Sequence, residues 1–579
     1  MEDFLKNLNH EKQVSLLRDY MKSRGLDAFW ITSFDQFLSE YTPLIESHRF
    51  WYTGFTGSIA EVLIDHEDVF LFVDGRYYEQ ADRECPKLSV VKVPYGTDLP
   101  QAFRQKILDK SYTTLGYEPE RTSLNEMEKL PAVLKTVASP EAELAVLMDY
   151  RWLEALAPVK ELPLKLTGEG RLEKWQKILD STTGLFVSQL DSVSWLLNAR
   201  GYHRLKQSTI KGMILVTREK ALVLLDPGTP LDSCWSKIPE VEFVFVTLAN
   251  TKAVSEKIEA FKTKQKIQRV RCFKSGLTVA QADLLKDLWP NLVEFSELAP
   301  WSMHYKKTSA ELSEFESSFL KASQVISRSL SNTAKDLVKG TALSEACVRE
   351  RLEADYTASG ALGLSFSTIA GVGANSSVIH FSQSSKQREI KESEIILVDS
   401  GVYYEAGLAT DTTRTFLSFG EALPWQKEIY TLVLKGLIQV SKARFPVGTW
   451  GAQADALARA PIREAGFDYS HGTGHGVGIL VHEGGYRLTP TSTMPLVPGV
   501  VGSLEPGIYL PGKGGVRLEN VVIVELCPDD SKMVQFRPLT WVGFDHRLIN
   551  HAWLDPKEME WLKNYEGECA RLGTLFVAS

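Results

Sequence analysis

Apolar residues near the start of the chain recur with helical spacing. Val14, Leu16, Leu17, Tyr20 and Met21 predict an amphipathic helix, and Ser23-Arg24-Gly25 predicts its stop. The spacing then changes to that of strands. A short apolar run from Ala28 to Thr32 precedes Asp35, an aromatic segment Phe50-Trp51-Tyr52 closed by Gly54, and two strand-like runs, Glu61–Ile64 and Val69–Val73. The polar stretch Asp65-His66-Glu67-Asp68 between those runs predicts a hairpin turn.

The same order then recurs. A helix-like stretch around Leu172–Leu179 leads to a strand at Leu185–Val187, then Asp191, Trp195 and Gly201. Two strand runs follow, Gly212–Val216 and Ala221–Leu225, parted by the turn Thr217-Arg218-Glu219-Lys220. Helix, strand, Asp, aromatic, Gly, strand, turn and strand in one order twice predict a duplicated α/β domain. The join is expected within Arg151–Gly170, where Pro158, Pro163 and Gly168 interrupt the pattern. A second boundary is expected near Pro300–Lys307, followed by a long helix from about Ser309 to Ala334. The expected domains are thus 1–155, 156–303 and 304–579. Beyond Ala361, strand runs, Gly-rich turns and nearly all the chemically interesting polar residues crowd together up to Glu525.

Composition narrows the classes. With 579 residues, 44% hydrophobic and 24% charged, the chain is globular and too long for one core. A formal charge of −8 excludes a chain built to coat nucleic acid. Six scattered cysteines without a CxxC pair predict neither a disulfide framework nor a thiolate zinc site, and fit a reducing compartment. The start, MEDFLKNLNHEKQ, lacks the basic and apolar regions of a signal peptide. No apolar run is long enough to span a bilayer. The expectation is a soluble cytoplasmic protein without nucleic-acid or membrane partners.

Candidate chemistry lies in the last third. Ile395-Ile396-Leu397-Val398 delivers Asp399 at a strand end, and the chain returns with Asp411 in Thr410-Asp411-Thr412-Thr413-Arg414. A hairpin with an acid on each arm would pair the carboxylates, although either Asp alone is also what a turn cap looks like. In His471-Gly472-Thr473-Gly474-His475-Gly476-Val477-Gly478 two histidines stand four apart, but four glycines argue against a helix. His482 follows, so three of eleven histidines fall within twelve positions, a density that suggests metal or acid–base work. Glu505 ends an apolar run before Pro506-Gly507. Glu519 is expected inside the strand around Val516–Ile523, where an Arg517–Glu519 ion pair is the alternative to a site role. Four carboxylates gathered in one site would repel one another unless divalent cations neutralise them. An oxygen-rich set with one imidazole suits manganese, cobalt or zinc and points to hydrolysis.

The segments VDSG, TDTTRTF, HGTGHGVG, SLEPGIY and GVRLENVV occur in the order seen in the pita-bread metallopeptidases. The chain most resembles the long, three-domain cytosolic Xaa-Pro aminopeptidases, with EYTP, FTGS, VDGRYY, DSVSWLLNARG and WLKNYEGEC as supporting matches over nearly its full length. The resemblance implies two creatinase-like α/β domains ahead of an α+β pita-bread domain, a six-stranded half-barrel with covering helices. It implies Asp399, Asp411, His475, Glu505 and Glu519 as ligands of two divalent ions, manganese first, with Asp411 and Glu519 bridging. A hydroxide between the metals would attack Xaa-Pro peptides. His380 and His482 would contact substrate and intermediate, His471 would line the pocket, and Glu505 would exchange a proton. The assembly implied is a homodimer. Asp399 and Asp411 are twelve apart rather than the usual eleven, and the extra residue is expected in the turn Glu405–Ala409.

Two other readings compete. A prolidase-like dipeptidase has this fold but usually a single N-terminal domain. A non-catalytic peptide-binding protein on the same fold typically has lost ligands, whereas all five are present here. Glu505→Gln and His475→Ala are expected to abolish turnover while the chain stays folded. Full activity in both, at unchanged circular dichroism, would refute the site assignment.

Overall fold

A computed structural model describes residues 8–148 and 157–578. The expected join at residue 155 lies outside the described residues, as does the start of the N-terminal segment. The chain divides into two compact units. One holds the described residues of Met1–Leu162 with Glu169–Arg204 and Thr209–Ser302; the other comprises Pro163–Gly168, Leu205–Ser208 and Met303–Ser579. Both repeats therefore belong to one unit, and two short strips of the second repeat belong to the other.

The first repeat opens with helix α1, His10–Arg24. The Asn9 side chain accepts the Lys12 N–H at its start, and Gly25 ends it with a φ of 63°. Val14, Leu17 and Met21 are its buried stripe, as the spacing predicts. The strands are β1 (Ala28–Ile31), β2 (Glu61–Asp65), β3 (Val69–Val73), β4 (Ser89–Lys92), β5 (Thr114–Tyr117) and β6 (Lys135–Ala138). They form a sheet in the order β4-β3-β2-β1-β5-β6. Asp65 closes the β2–β3 hairpin by accepting the Glu67 N–H.

The second repeat supplies β7 (Thr183–Val187), β8 (Gly212–Val216), β9 (Ala221–Leu225), β10 (Val241–Phe245), β11 (Arg269–Phe273) and β12 (Val293–Ser296). Their order, β10-β9-β8-β7-β11-β12, reproduces the first sheet strand for strand. The directions match too. In both sheets the pairs made by the first three strands are antiparallel and the other three pairs are parallel. The hairpin turn is again closed by a side chain, here Thr217 accepting the Lys220 N–H.

A buried ion pair sutures the repeats. Arg204 of the second donates to Asp35 of the first at 3.0 Å and to Glu46 at 2.7 Å. Asp35 is held in turn by the N–H groups of Phe37 and Ser39.

The other unit begins with a helix, Ser309–Val338, whose Thr308 and Glu311 cap each other's backbone. It runs one turn beyond the predicted end. The strands that carry the site are β13 (Ile369–Val372), β14 (Ile395–Ser400), β15 (Thr412–Leu417), β16 (Arg444–Pro446), β17 (Gly474–Gly476), β18 (Glu483–Leu488), β19 (Val501–Leu504), β20 (Gly507–Leu510), β21 (Gly514–Arg517), β22 (Asn520–Cys527) and β23 (Asp530–Pro538). Hydrogen bonding groups them as β13-β14-β15, β16-β23-β22-β19-β17-β18 and the hairpin β20-β21. The groups meet where the Glu519 N–H bonds Thr413 O and the Thr415 hydroxyl bonds Arg517 O. Behind them packs a core of helices Pro424–Ser441, Gly451–Glu464 and Pro556–Leu572. Cys569 is fully buried in that core, and Trp541 stacks on Tyr565. All six cysteines are unpaired, and among the described residues no helix is long and apolar enough to cross a membrane.

Arg204→Met is expected to leave Asp35 buried without its cation. The first unit should lose about 3–5 kcal/mol, read as a lower denaturant midpoint, whereas an unchanged midpoint would show that the suture does not stabilise it.

Candidate metal centre

The strand β14 is buried throughout, since β13 and β15 flank it on both edges. Its apolar run carries Asp399 inward to a position opposite Thr413 of β15. The register continues past the strands without a bulge: Thr410 N–H bonds Val402 O, and Tyr403 bridges Ala409. The long spacing between Asp399 and Asp411 is therefore taken up in the turn at 404–408, where Gly407 adopts a φ of 62°. Both acids keep the arms of one hairpin, as expected.

His475 stands on the short strand β17. Its neighbour Gly474 has no room for a side chain, because a Cβ would collide with Ser503 O. Between His475 and Gly476 the pairing with β18 slips, from Arg487 to Glu483. Such a bulge re-aims the side chain, and the imidazole Nε2 comes to 3.5 Å from Asp411 Oδ2 and 3.4 Å from Glu505 Oε1. Glu505 follows β19 directly, its N–H bonded to Thr473 O. Glu519 differs from expectation. It lies in the two-residue step between β21 and β22 rather than inside a strand. There it is buried, with one oxygen accepting from Thr413 Oγ1 at 3.0 Å. One ligand atom each from Asp411, His475 and Glu519 lies within 4.8 Å of the others.

Arg517 does not pair with Glu519. It is fully buried, donates to Asp399 Oδ2 at 2.6 Å and to Tyr509 Oη at 2.8 Å, and approaches Glu505 Oε2 to 4.0 Å. Arg517 and Tyr509 are site residues that sequence reasoning misses. The one available signal is their place inside the segments GVRLEN and EPGIY. His471 is buried with Nε2 2.9 Å from Tyr509 Oη. The His482 ring lies edge-on to His475, centroids 4.3 Å apart. His380 is half-buried in the turn after the helical segment Gly373–Ser377, and Arg517 donates to the backbone of its neighbour Ile379. All eight predicted site residues lie in this unit. Asp411, His475, Glu505 and Glu519 converge directly, Asp399 joins them through Arg517, His471 and His482 flank them, and Arg517 also holds the backbone beside His380.

The electrostatics are those of crowded, dry carboxylates. Burial, then repulsion from Glu519, Asp399 and Glu505, raises the Asp411 carboxyl well above its ordinary range. Burial and the same crowding raise Glu519. Burial pushes Glu505 up to about 7, with Arg517 and His482 opposing and Asp399 adding. Four carboxylates face one guanidinium, and Asp399 Oδ1 and Glu519 Oε1 are buried without a hydrogen-bond donor. That donor set fits divalent cations: hard oxygen ligands, one imidazole, unmet negative charge.

Comparison with known proteins bears on the whole chain. The model of metallopeptidase family M24 matches residues 317–525, that of the creatinase/prolidase N-terminal domain 13–147, and that of the C-terminal region of peptidase M24 532–574. A protein of Laccaria bicolor named probable Xaa-Pro aminopeptidase P is 30% identical, over 98% of this chain and 91% of its own. One from Botryotinia fuckeliana, named the same, is 30% identical over 97% and 90%. Among solved structures, X-prolyl aminopeptidase from Caenorhabditis elegans, described as a cytosolic enzyme with a di-nuclear active site, superposes with a TM-score of 0.87 at 23% identity, covering 98% of this chain and 96% of that one. Xaa-Pro dipeptidase from Bacillus anthracis reaches 0.53 at 24% identity, with 98% of it matched to only 65% of this chain.

The pocket makes a pH prediction. Glu505, Asp411 and Glu519 hold protons more tightly folded than unfolded. The stability they contribute is complete below the ordinary carboxyl value of 4.5 and is lost as pH rises through about 7 for Glu505. The thermal midpoint of metal-stripped protein should therefore fall between about pH 5 and pH 8, and flatten when divalent cations are restored. A metal-stripped midpoint that rises over that window would contradict the assignment.

Proposed function

The chain belongs to the Xaa-Pro aminopeptidases of metallopeptidase family M24, and from that premise we propose how its pocket works. It is a metal-dependent exopeptidase that releases the N-terminal residue from peptides with proline second. The observation that carries the proposed mechanism is the convergence of Asp411, Glu505 and Glu519 on His475, with Asp399 joined to them through Arg517. These five residues would hold two divalent ions, with Asp411 and Glu519 shared between them. We assign manganese, with zinc or cobalt as the alternatives. When bound, such ions neutralise the carboxylates and polarise a carbonyl and a water.

The chain's own residues do the rest. Glu505, whose Oε1 lies 3.4 Å from His475 Nε2, is the carboxylate we assign to take a proton from the attacking water and return it to the leaving nitrogen. Arg517 fixes Asp399 through its Nη2 and stays charged, so that carboxylate keeps one orientation. Tyr509 bridges Arg517 and His471, joining the pocket wall to the ligand shell. We assign His482, whose ring lies edge-on to His475, to donate to the oxygen of a tetrahedral intermediate, and His380 to the substrate side. A bond to proline lacks an N–H and carries a ring, so a site that expects no donor there and has room for the ring is selective for it.

The duplicated front favours this reading over a prolidase-like dipeptidase, since a solved dipeptidase of the same fold accounts for only 65% of the chain. We read residues 1–155 and 156–303 as the two repeats ahead of a catalytic domain at 304–579. We place the protein in the cytoplasm, in line with its full-length likeness to a relative described as cytosolic, and assign it a homodimer on the family resemblance alone.

Hydrolysis of Arg-Pro-Pro and of matched Arg-Ala-Ala, before and after Mn²⁺ is restored to chelated protein, tests the proposal. Metal-dependent release of arginine from the proline peptide alone is expected. Equal cleavage of both, or of neither with metals bound, would overturn it.

A further inference from the structure

Residues 477–482 connect two functional histidines, His475 and His482, yet belong to no strand or helix. A loop without a backbone ladder needs another device to hold His482 in place. The residue next to His482 is Glu483, and its carboxylate is buried and turned back into the loop. Oε2 accepts the Ile479 N–H at 3.3 Å, and a side chain at Gly478 would collide with that carboxylate. The loop is therefore wrapped around its own glutamate.

Two further partners of Glu483 come from residues 304–307 of the same unit. Lys307 Nζ donates to Oε1, and His304 Nδ1 stands 3.2 Å from Oε2. Glu483, Lys307 and His304 are all buried. Burial opposes charge on Glu483, but Lys307 and His304 outweigh it and hold the carboxyl down to about 2. The segment is itself anchored on the chain flanking the loop. Tyr305 fills the space above Gly485, Lys307 N–H bonds Gly499 O, and Lys306 bridges Val500. On its far side the loop meets the metal hairpin, since Ala409 N–H bonds Gly478 O at 2.8 Å, two residues before Asp411, and Tyr403 Oη donates to Ile479 O.

We propose that Glu483, clamped by Lys307 and His304, is a positioning residue for the reaction: it fixes the loop that aims His482 at the intermediate. Its carboxylate is held by Lys307, His304 and the Ile479 N–H, and the enzyme's use of it rests on the role given to His482 above. A buried charge-assisted pair is directional, and a loop displaced by about 1 Å can cost about 100-fold in rate. The clamp is thus expected to act on kcat through His482, with substrate affinity and metal content unchanged.

A double-mutant cycle on the metal-reloaded full-length enzyme tests this, with Arg-Pro-Pro as substrate. Lys307→Met should lower kcat by about 10- to 100-fold at unchanged KM and metal content. In the His482→Ala background the same substitution should cost less than about twofold, because the group it positions is gone. Lys307→Arg, which keeps the charge, should recover most of the rate. An equal loss in both backgrounds, or loss of metal, would overturn the clamp while leaving the role of His482 intact. Full activity in His482→Ala would overturn both. If Lys307→Met fails to fold because Glu483 is left unpaired, Lys307→Met with Glu483→Gln removes both charges and must show the same dependence on His482.

Discussion

Four carboxylates sharing one buried pocket repel one another, and the catalytic unit is organised around tolerating that repulsion. Asp399, Asp411, Glu505 and Glu519 come from separate stretches of chain, so no local sequence could hold them together. The β14–β15 hairpin brings two of them, the end of β19 a third, and the step between β21 and β22 the fourth. Asp399 arrives on a strand flanked on both edges, and the N–H groups of Glu505 and Glu519 are held by Thr473 O and Thr413 O. The crowding is left partly uncompensated within the protein, with Arg517 as the one guanidinium among them and two orphaned oxygens. Charge-neutralising cations turn this unfavourable arrangement into a stable one, which ties folding, metal affinity and pH to one pocket.

The surroundings of the pocket divide into groups that carry charge and groups that fix direction. Arg517 spans Asp399, Thr413 and Tyr509, so a single planar cation orients one carboxylate and ties it to the wall carrying His471. The bulge after His475 and the glycines around it let backbone approach backbone closely, which no larger residue permits at Gly474. The buried Lys307–Glu483–His304 group does for the loop what the ladder does for the strands.

Much of this was legible in the sequence. Helical spacing and a glycine stop marked α1, and apolar runs parted by a polar turn marked β8 and β9 at the bounds the structure has. Recurrence of one element order foretold two sheets of identical topology. Asp399 and Glu505 were legible because each closes an apolar run, Asp411 because it stands on the return arm of the hairpin, and Glu519 because its neighbours are apolar. What escaped was what depends on distant partners. Arg517 and Glu519 sit two apart, and in a continuous strand they would share a face. The strand instead ends at Arg517, so the arginine turns to an aspartate 118 positions upstream. The union of both repeats in one unit involves long-range contacts such as Arg204 to Asp35 and the Val279 N–H to Thr122 O, which periodicity cannot reveal.

The central claim is that this pocket holds two metal ions through a shared carboxylate. The direct test is the metal content of chelated and reloaded protein, wild type against Asp411→Asn, by elemental analysis. Two equivalents per chain in the wild type, with one or none in the variant, is the predicted result. Two equivalents in both, or none in either, would contradict it.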